Sequence, residues 1–234
     1  MRNYYSKSFA ILFALLFFDL TVCAQKSFAL KDYFLNDVGD EWQYKNLAPD
    51  GLSPIITKVA ATENFGGKTV LRRTENNGDY RLQTLDAKGL TVYRLYFVGD
   101  RFIEYDAPIL LMPARLQLGE THKSAAKYKT TVGGETKETG TQTYETVAEK
   151  IEDADTPLGR FKNCLVVRTV ALRVDASGSQ KGYELVEWHA KGVGAVKVAG
   201  ELFWKNKAGD VTRRFKINAE LEKATIRGKS VKAK

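Results

Sequence analysis

Cys164 is the residue best suited to covalent chemistry, and it begins an apolar run within residues 155–170. A cysteine nucleophile needs a nearby base and a third group that orients the base. His189 is the candidate base, because Cys164 and His189 share a face if CLVVRTVALRV and GYELVEWHA form a hairpin. Diagonal neighbours on a sheet are about 7–8 Å apart, which is too far for a direct hydrogen bond. Leu165, Val166 and Val167 also predict a raised pKa for the thiol and low reactivity, so we predict a buried core cysteine.

Metal and cofactor sites have little support in the sequence. His122 and His189 are 67 positions apart and show no ligand spacing. The acidic run Glu149, Glu152, Asp153 and Asp155 lacks the glycine-bearing loop of an EF-hand and is predicted to be a solvated loop. No phosphate loop, dinucleotide fingerprint, nucleophile elbow or zinc-protease helix occurs in a suitable context. We predict no catalytic residue, no metal site and no cofactor.

Aromatic and acidic side chains leave two alternatives open. Carboxylates are numerous enough for a glycosidase pair, but nothing in the sequence singles out two of them. Several aromatic residues could line a ligand pocket, although packing between strands is their usual role: Trp42, Tyr44, Trp188, Phe203 and Trp204.

The amino terminus has the layout of a secretory signal peptide. Arg2 and Lys7 precede an unbroken apolar run over residues 9–18, about half the length that a membrane-spanning helix needs. Val22 and Ala24 suit the positions before a cleavage site, so we predict a signal peptide over residues 1–24 and export to the periplasm or the medium. The mature chain is then not transmembrane.

A second interpretation of the leader is a bacterial lipobox. Leu20-Thr21-Val22-Cys23 resembles this motif, in which the cysteine is acylated and becomes the first residue. Val22 occupies the position that normally holds Gly, Ala or Ser, so an outer-membrane lipoprotein anchored through Cys23 is the less favoured alternative. After cleavage at Ala24, Cys164 has no partner in the chain for a disulfide.

The charge distribution suggests where the domain ends. The formal charge is +8, and removal of Arg2, Lys7 and Asp19 with the leader brings it to +7. Basic residues continue after Glu222 without a further acid, which predicts a single β-rich domain over residues 25–222 and a basic, flexible tail over residues 223–234. Export argues against nucleic acid as a partner.

Short strands separated by turn residues dominate the chain. TVLRRTE and DYRLQTLD flank Asn76-Asn77-Gly78, a strong hairpin signal that starts a predicted four-strand meander. A further hairpin is predicted at Gly133-Gly134, and alternation in the segment from Val211 to Leu221 predicts a strand buried on one face. Helical character is confined to one turn within residues 29–35.

So many one-sided strands must cover their apolar faces. The predicted fold class is therefore all-β, a curved antiparallel sheet that forms a half-barrel, a closed barrel or a sandwich.

Four segments together resemble uncharacterised exported bacterial β-rich proteins of the domain-of-unknown-function type: KDYFLNDVGDEWQYK, YDAPILLMPARLQLGE, TPLGRFKNCLVVR and EWHAKGVGAVK. Members often carry Gly-x-Phe-x-x-Cys, here at Gly159, Phe161 and Cys164, and a later Trp-x-Ala-x-Gly-Val-Gly, here starting at Trp188. The resemblance implies an envelope or secreted location and a β fold, but no reaction.

These observations favour an exported, non-catalytic envelope protein that binds an apolar or amphiphilic molecule, such as a lipid, or an envelope protein partner. The alternatives are an envelope hydrolase that uses paired carboxylates, and a purely structural or assembly protein.

Overall fold

The computed structural model describes residues 26–48 and 54–233, and most of them lie in antiparallel strands. A single 3₁₀ turn, Leu30–Asp32, falls within the region where one helical turn was predicted. The strands are β1 (Ser27–Ala29), β2 (Glu41–Asn46), β3 (Ile55–Phe65), β4 (Lys68–Glu75), β5 (Tyr80–Leu85), β6 (Gly89–Phe97), β7 (Arg101–Pro113), β8 (Arg115–Gln117), β9 (Thr121–Val132), β10 (Glu135–Thr156), β11 (Gly159–Asp175), β12 (Gln180–Ala190), β13 (Gly194–Lys205), β14 (Val211–Ile226) and β15 (Lys229–Ser230).

Twelve of these strands form one closed sheet. The order runs from β13 back through β12, β11, β10, β9, β7, β6, β5, β4, β3 and β2 to β14, and β14 also pairs with β13. This second pairing closes the sheet, so the all-β prediction is confirmed, and the barrel is the correct choice among the three predicted forms. Closure removes the exposed edges that an open sheet of this size would present.

The predicted hairpins are present. Gly78 in the turn between β4 and β5 has φ 90°, which a glycine adopts at low cost. Strands β4 to β7 are sequential neighbours, which confirms the meander, and β9 and β10 meet at Gly133 and Gly134.

The segment before β2 lies across one end of the barrel. Leu30 is fully buried, and its backbone N–H donates to the carbonyl of Ala114. Asp32 accepts from the backbone of Gly192 in the turn between β12 and β13. Farther along, the ring of Phe34 stacks on His189, with ring centres 3.9 Å apart. This plug segment, residues 27–36, therefore joins parts of the barrel wall that are distant in sequence.

The residues predicted as a separate basic tail instead continue the sheet. Strand β14 extends to Ile226, a tight turn leads into β15, and Ala233 packs against Gly159 and the neighbouring apolar cluster. The backbone N–H of Arg227 donates to Asp40, and its guanidinium contacts Asp37 at 2.5 Å. The prediction weighed the positive charge of this segment and overlooked its apolar residues Ala224 and Ile226, which are buried in the core.

Within the described ranges, no helix has the length and apolar character required to cross a membrane.

Candidate functional site

The structure separates the cysteine from its candidate base. His189 is opposite Leu165 in the β11–β12 register, so the adjacent Cys164 points to the other face of the sheet. Cys164 is fully buried, and its Sγ is 3.5 Å from the carbonyl of Phe161. Burial raises the pKa of the thiol to about 11. The expectation that Cys164 and His189 share a face is wrong, and the prediction of a buried core cysteine is confirmed.

The other predicted polar candidates are also apart from one another. His122 lies on β9, with its Nε2 3.2 Å from the carbonyl of Leu110. The prediction that the acidic run forms a solvated loop is wrong, because all four residues lie in strand β10. Basic side chains engage them: Glu149 with Arg168, Glu152 with Lys150, and Asp153 and Asp155 with Arg160. Among the described residues, no three His, Cys, Asp or Glu side chains are grouped so that they could hold a metal ion.

The five aromatic candidates divide between the two faces of the barrel. Trp42 and Tyr44 point inward, where Trp42 Nε1 donates to Val193 and Tyr44 donates to Ala195. Trp204 is also on the inner face, because its register partner Lys181 has the same parity on β12 as Tyr183, which lines the chamber inside the barrel. Trp188 and Phe203 lie on the outer face, and Trp188 Nε1 donates to Glu152 at 2.6 Å.

A small chamber of about 90 Å³ lies inside the barrel beneath the plug segment. Side chains from many strands converge on it, which identifies their common face as the inner face of the sheet. Its apolar lining includes Phe34, Leu90, Leu111 and Met112. Its polar lining is Arg73, Arg81, Thr169, Tyr183, Glu187 and His189.

Two arginines face each other in this chamber. Arg73 on β4 is the direct register partner of Arg81 on β5, and the guanidinium of Arg73 lies 4.7 Å from the ring centre of Trp42. Burial, together with repulsion from Arg81, lowers the pKa of Arg73 to about 10. Burial alone would raise the pKa of Glu187, but the imidazole of His189, 3.7 Å away, and the charges of Arg81 and Arg73 hold it below its usual value.

A larger cavity of about 700 Å³ lies in the barrel wall between β7 and β9. Pairing of these strands ends at Tyr105 and Tyr128, because β7 bulges outward over Asp106, Ala107 and Pro108. Pro108 has no N–H to donate, and a carboxylate oxygen of Asp106 accepts from the backbone N–H of Lys127 instead of a ladder carbonyl. The sequence of β7 at residues 106–108 therefore interrupts the pairing with β9 at this point of the barrel wall.

The lining of this wall cavity combines aromatic rings with charges of both signs. Phe65, Tyr105 and Tyr128 supply the rings, and Gly140 lets the backbone of β10 approach them. Four charged residues also line the cavity: Glu104, Asp106, Lys127 and Lys129. Residues from both faces of the sheet contribute to this lining.

Three tyrosines connect the linings of the two cavities. The hydroxyls of Tyr105 and Tyr144 are 3.5 Å apart, and the rings of Tyr144 and Tyr183 have centres 6.4 Å apart. Burial raises the pKa of Tyr105 and of Tyr183 well above the usual value, so both hydroxyls stay protonated near neutral pH. Protonated hydroxyls can donate hydrogen bonds along this row.

The sequence analysis did not identify Arg73, Arg81 or Glu187. In TVLRRTE both strand faces contain an arginine, so alternation alone cannot assign Arg73 to the inside. In GYELVEWHA, Glu187 shares parity with Tyr183, Leu185 and His189, which is a weak signal that one inner face carries polar groups.

Two solved structures resemble the chain at low identity. One, described as a "putative lipoprotein" from Parabacteroides distasonis, is 16% identical over 82% of this chain and 97% of that chain, with a TM-score of 0.42. The other, a "putative exported protein with YmcC-like fold" from Bacteroides fragilis, is 14% identical over 82% of this chain and 98% of that chain, with a TM-score of 0.42. No protein-family model and no curated protein matches the chain.

Proposed function

We propose that this protein is an exported, non-catalytic protein of the bacterial envelope that binds an apolar or amphiphilic molecule through its barrel wall. The observation that carries the proposal is the cavity of about 700 Å³ at the break between β7 and β9. Ligand pockets commonly have volumes of about 300–1,000 Å³ and combine apolar walls with a few placed polar groups.

The chemistry of the cavity fits an amphiphile. The rings of Phe65, Tyr105 and Tyr128 offer apolar contact, while Lys127 and Lys129 place positive charge beside it. Pro108 and the bulge keep β7 from pairing with β9 here, so occupation of the cavity requires no loss of ladder hydrogen bonds.

The lumen away from the plug segment supports the same interpretation. The register places Leu202, Trp204, Phe215 and Ile217 on the inner face, yet each is only half-buried. Apolar side chains that face inward and retain accessible surface can contact a molecule within the barrel.

Export rests on the leader, whose cleavage site and Cys23 lie outside the described residues. The hydrolase alternative has no comparable support, because the two carboxylates at the wall cavity are already engaged. Glu104 forms ion pairs with Arg94 and Lys129, and Asp106 accepts from backbone N–H groups.

Fluorescence of the apolar probe N-phenyl-1-naphthylamine tests the proposal on the mature protein. Thr141 is exposed and lines the cavity, so Thr141→Trp should fill it and weaken probe binding about tenfold. Thr143→Trp is the matched control, because Thr143 is exposed on the same face of β10 but does not line the cavity.

Native mass spectrometry of protein purified without detergent provides a second readout, a retained lipid mass. Equal probe binding by both variants, with no retained lipid, would refute ligand binding at the wall and favour a structural or assembly role.

A further inference from the structure

The inner chamber contains more positive charge than its lining neutralises. Arg73 and Arg81 are direct cross-strand partners, an arrangement that is unfavourable for like charges. Of the residues that the structure describes, Glu187 is the one acid lining the chamber, and its salt-bridge contact is with His189, at 3.7 Å. Two guanidinium groups therefore share the charge of one carboxylate.

Buried polar atoms around the chamber also lack partners. His189 is 2% exposed and Thr169 is 3% exposed. Within residues 26–48 and 54–233, neither ring nitrogen of His189, nor Thr169 Oγ1, nor Arg81 Nε has a hydrogen-bond partner. A buried polar group without a partner is destabilising, so four such atoms around one space indicate that something polar occupies it.

The volume of the chamber and the donors in its lining limit which polar molecule could occupy it. A water molecule needs roughly 10–15 Å³ of such space, so about 90 Å³ has room for several waters or for one polyatomic anion. Arginine presents parallel N–H donors that match the oxygens of a carboxylate or phosphate, and water cannot neutralise the excess charge.

From this geometry we propose that the chamber is a binding site for an oxyanion, a carboxylate or phosphate group, held between Arg73 and Arg81 with donors from Thr169 and His189. The anion is either free or the head group of an amphiphile, of which only the first carbons of the chain would contact the apolar lining at Phe34, Leu90, Leu111 and Met112. In the second case the site extends the proposed ligand-binding function by specifying an anionic ligand.

Isothermal titration of the mature protein with four probes tests this inference: inorganic phosphate, acetate, dodecyl phosphate and the neutral dodecanol. Sodium chloride at equal ionic strength controls for screening. Arg81→Met removes one guanidinium and should weaken phosphate or dodecyl phosphate binding about tenfold. Arg72→Met is the matched control, because Arg72 is on the outer face of β4 in an ion pair with Glu63.

The melting temperatures of the variants show whether a loss of binding results from a loss of the fold. Arg81→Met relieves repulsion with Arg73, so its melting temperature without anion should equal or exceed that of the parent. Arg81→Lys keeps the charge but loses the planar fork, and we expect it to bind the anion with intermediate affinity.

Each outcome bears on the inference. Binding of phosphate or acetate that Arg81→Met weakens supports a free-anion site, and the same loss restricted to dodecyl phosphate supports a head-group site. Equal affinity for dodecyl phosphate and dodecanol, unchanged in Arg81→Met, overturns the anion site but leaves the proposed function intact. Failure of all four probes, with an unchanged Arg81→Met, overturns the anion site and indicates a chamber filled with water.

Discussion

Cys164 and His189 point to opposite faces of the β11–β12 pair, because His189 is the register partner of Leu165. A shift of one residue in the pairing would have brought them onto one face and made a thiol–imidazole pair conceivable. The observed register instead leaves the thiol in an apolar cluster and the imidazole in the polar inner chamber. Cys164 therefore contributes to core packing, whereas His189 lines the inner chamber.

We predict that Cys164 reacts slowly with a thiol reagent such as DTNB in the native protein. Its side chain is fully buried and its pKa is about 11, so at pH 8 only about one thiol in a thousand would be ionised. Reaction of the unfolded protein in urea serves as the reference. The rate for the native protein should be lower than this reference by a factor of about one hundred or more. Complete labelling within the mixing time without urea would reopen a reactive role for Cys164.

Glu187→Gln should destabilise the fold by about 2 kcal/mol at pH 7, because it leaves Arg73 and Arg81 without their shared countercharge. The pKa of Glu187 is lowered in the folded state, so its stabilising effect is present above the pKa of the unfolded chain. That effect is lost as pH falls through the lowered folded value. The difference in unfolding free energy between parent and variant, measured in urea, should therefore shrink at acidic pH.

Glu184→Gln is the control for that experiment, because Glu184 is on the outer face of the same strand with its side chain 52% exposed. We expect it to change stability by less than about 0.5 kcal/mol. If the Glu187→Gln difference stayed constant from pH 7 to acid, the charge of Glu187 would not be its cause.

Leu30→Ala should cost about 2–5 kcal/mol of unfolding free energy, because Leu30 is 0% exposed and its removal leaves a cavity under the plug segment. Val38→Ala nearby should cost less than about 0.5 kcal/mol, since Val38 is 53% exposed. Urea unfolding followed by circular dichroism measures both. Equal, small effects would mean that the plug segment is not part of the cooperative core.

Much of the secondary structure was predictable because its signals are local. Asn77-Gly78 specifies a tight turn, and the alternation from Phe215 to Leu221 marks a face that the structure places inward. The alternation weakens at Val211 and Arg213, which are exposed near the end of the barrel away from the plug segment. The basic residues after Glu222 were misleading, because charge density predicts solvation but says nothing of the apolar residues between the charges.

The candidate site was not predictable in the same way. Arg73 and Arg81 are eight positions apart on strands whose two faces both contain arginine, so only the pairing register shows that they meet. Glu187 and His189 reach the same chamber from β12, far along the chain.

The sequence by itself determined that this is an all-β chain with hairpin turns and a buried lone cysteine in the described part, and it predicted a signal peptide, since these depend on local alternation, turn chemistry and composition. Tertiary structure decided that the sheet closes between β13 and β14, that β7 leaves its neighbour at Asp106–Pro108, and that two arginines share one small chamber. The physical reason is that closure, bulge and register are set by contacts between strands distant in sequence, where a shift of one residue exchanges inside for outside.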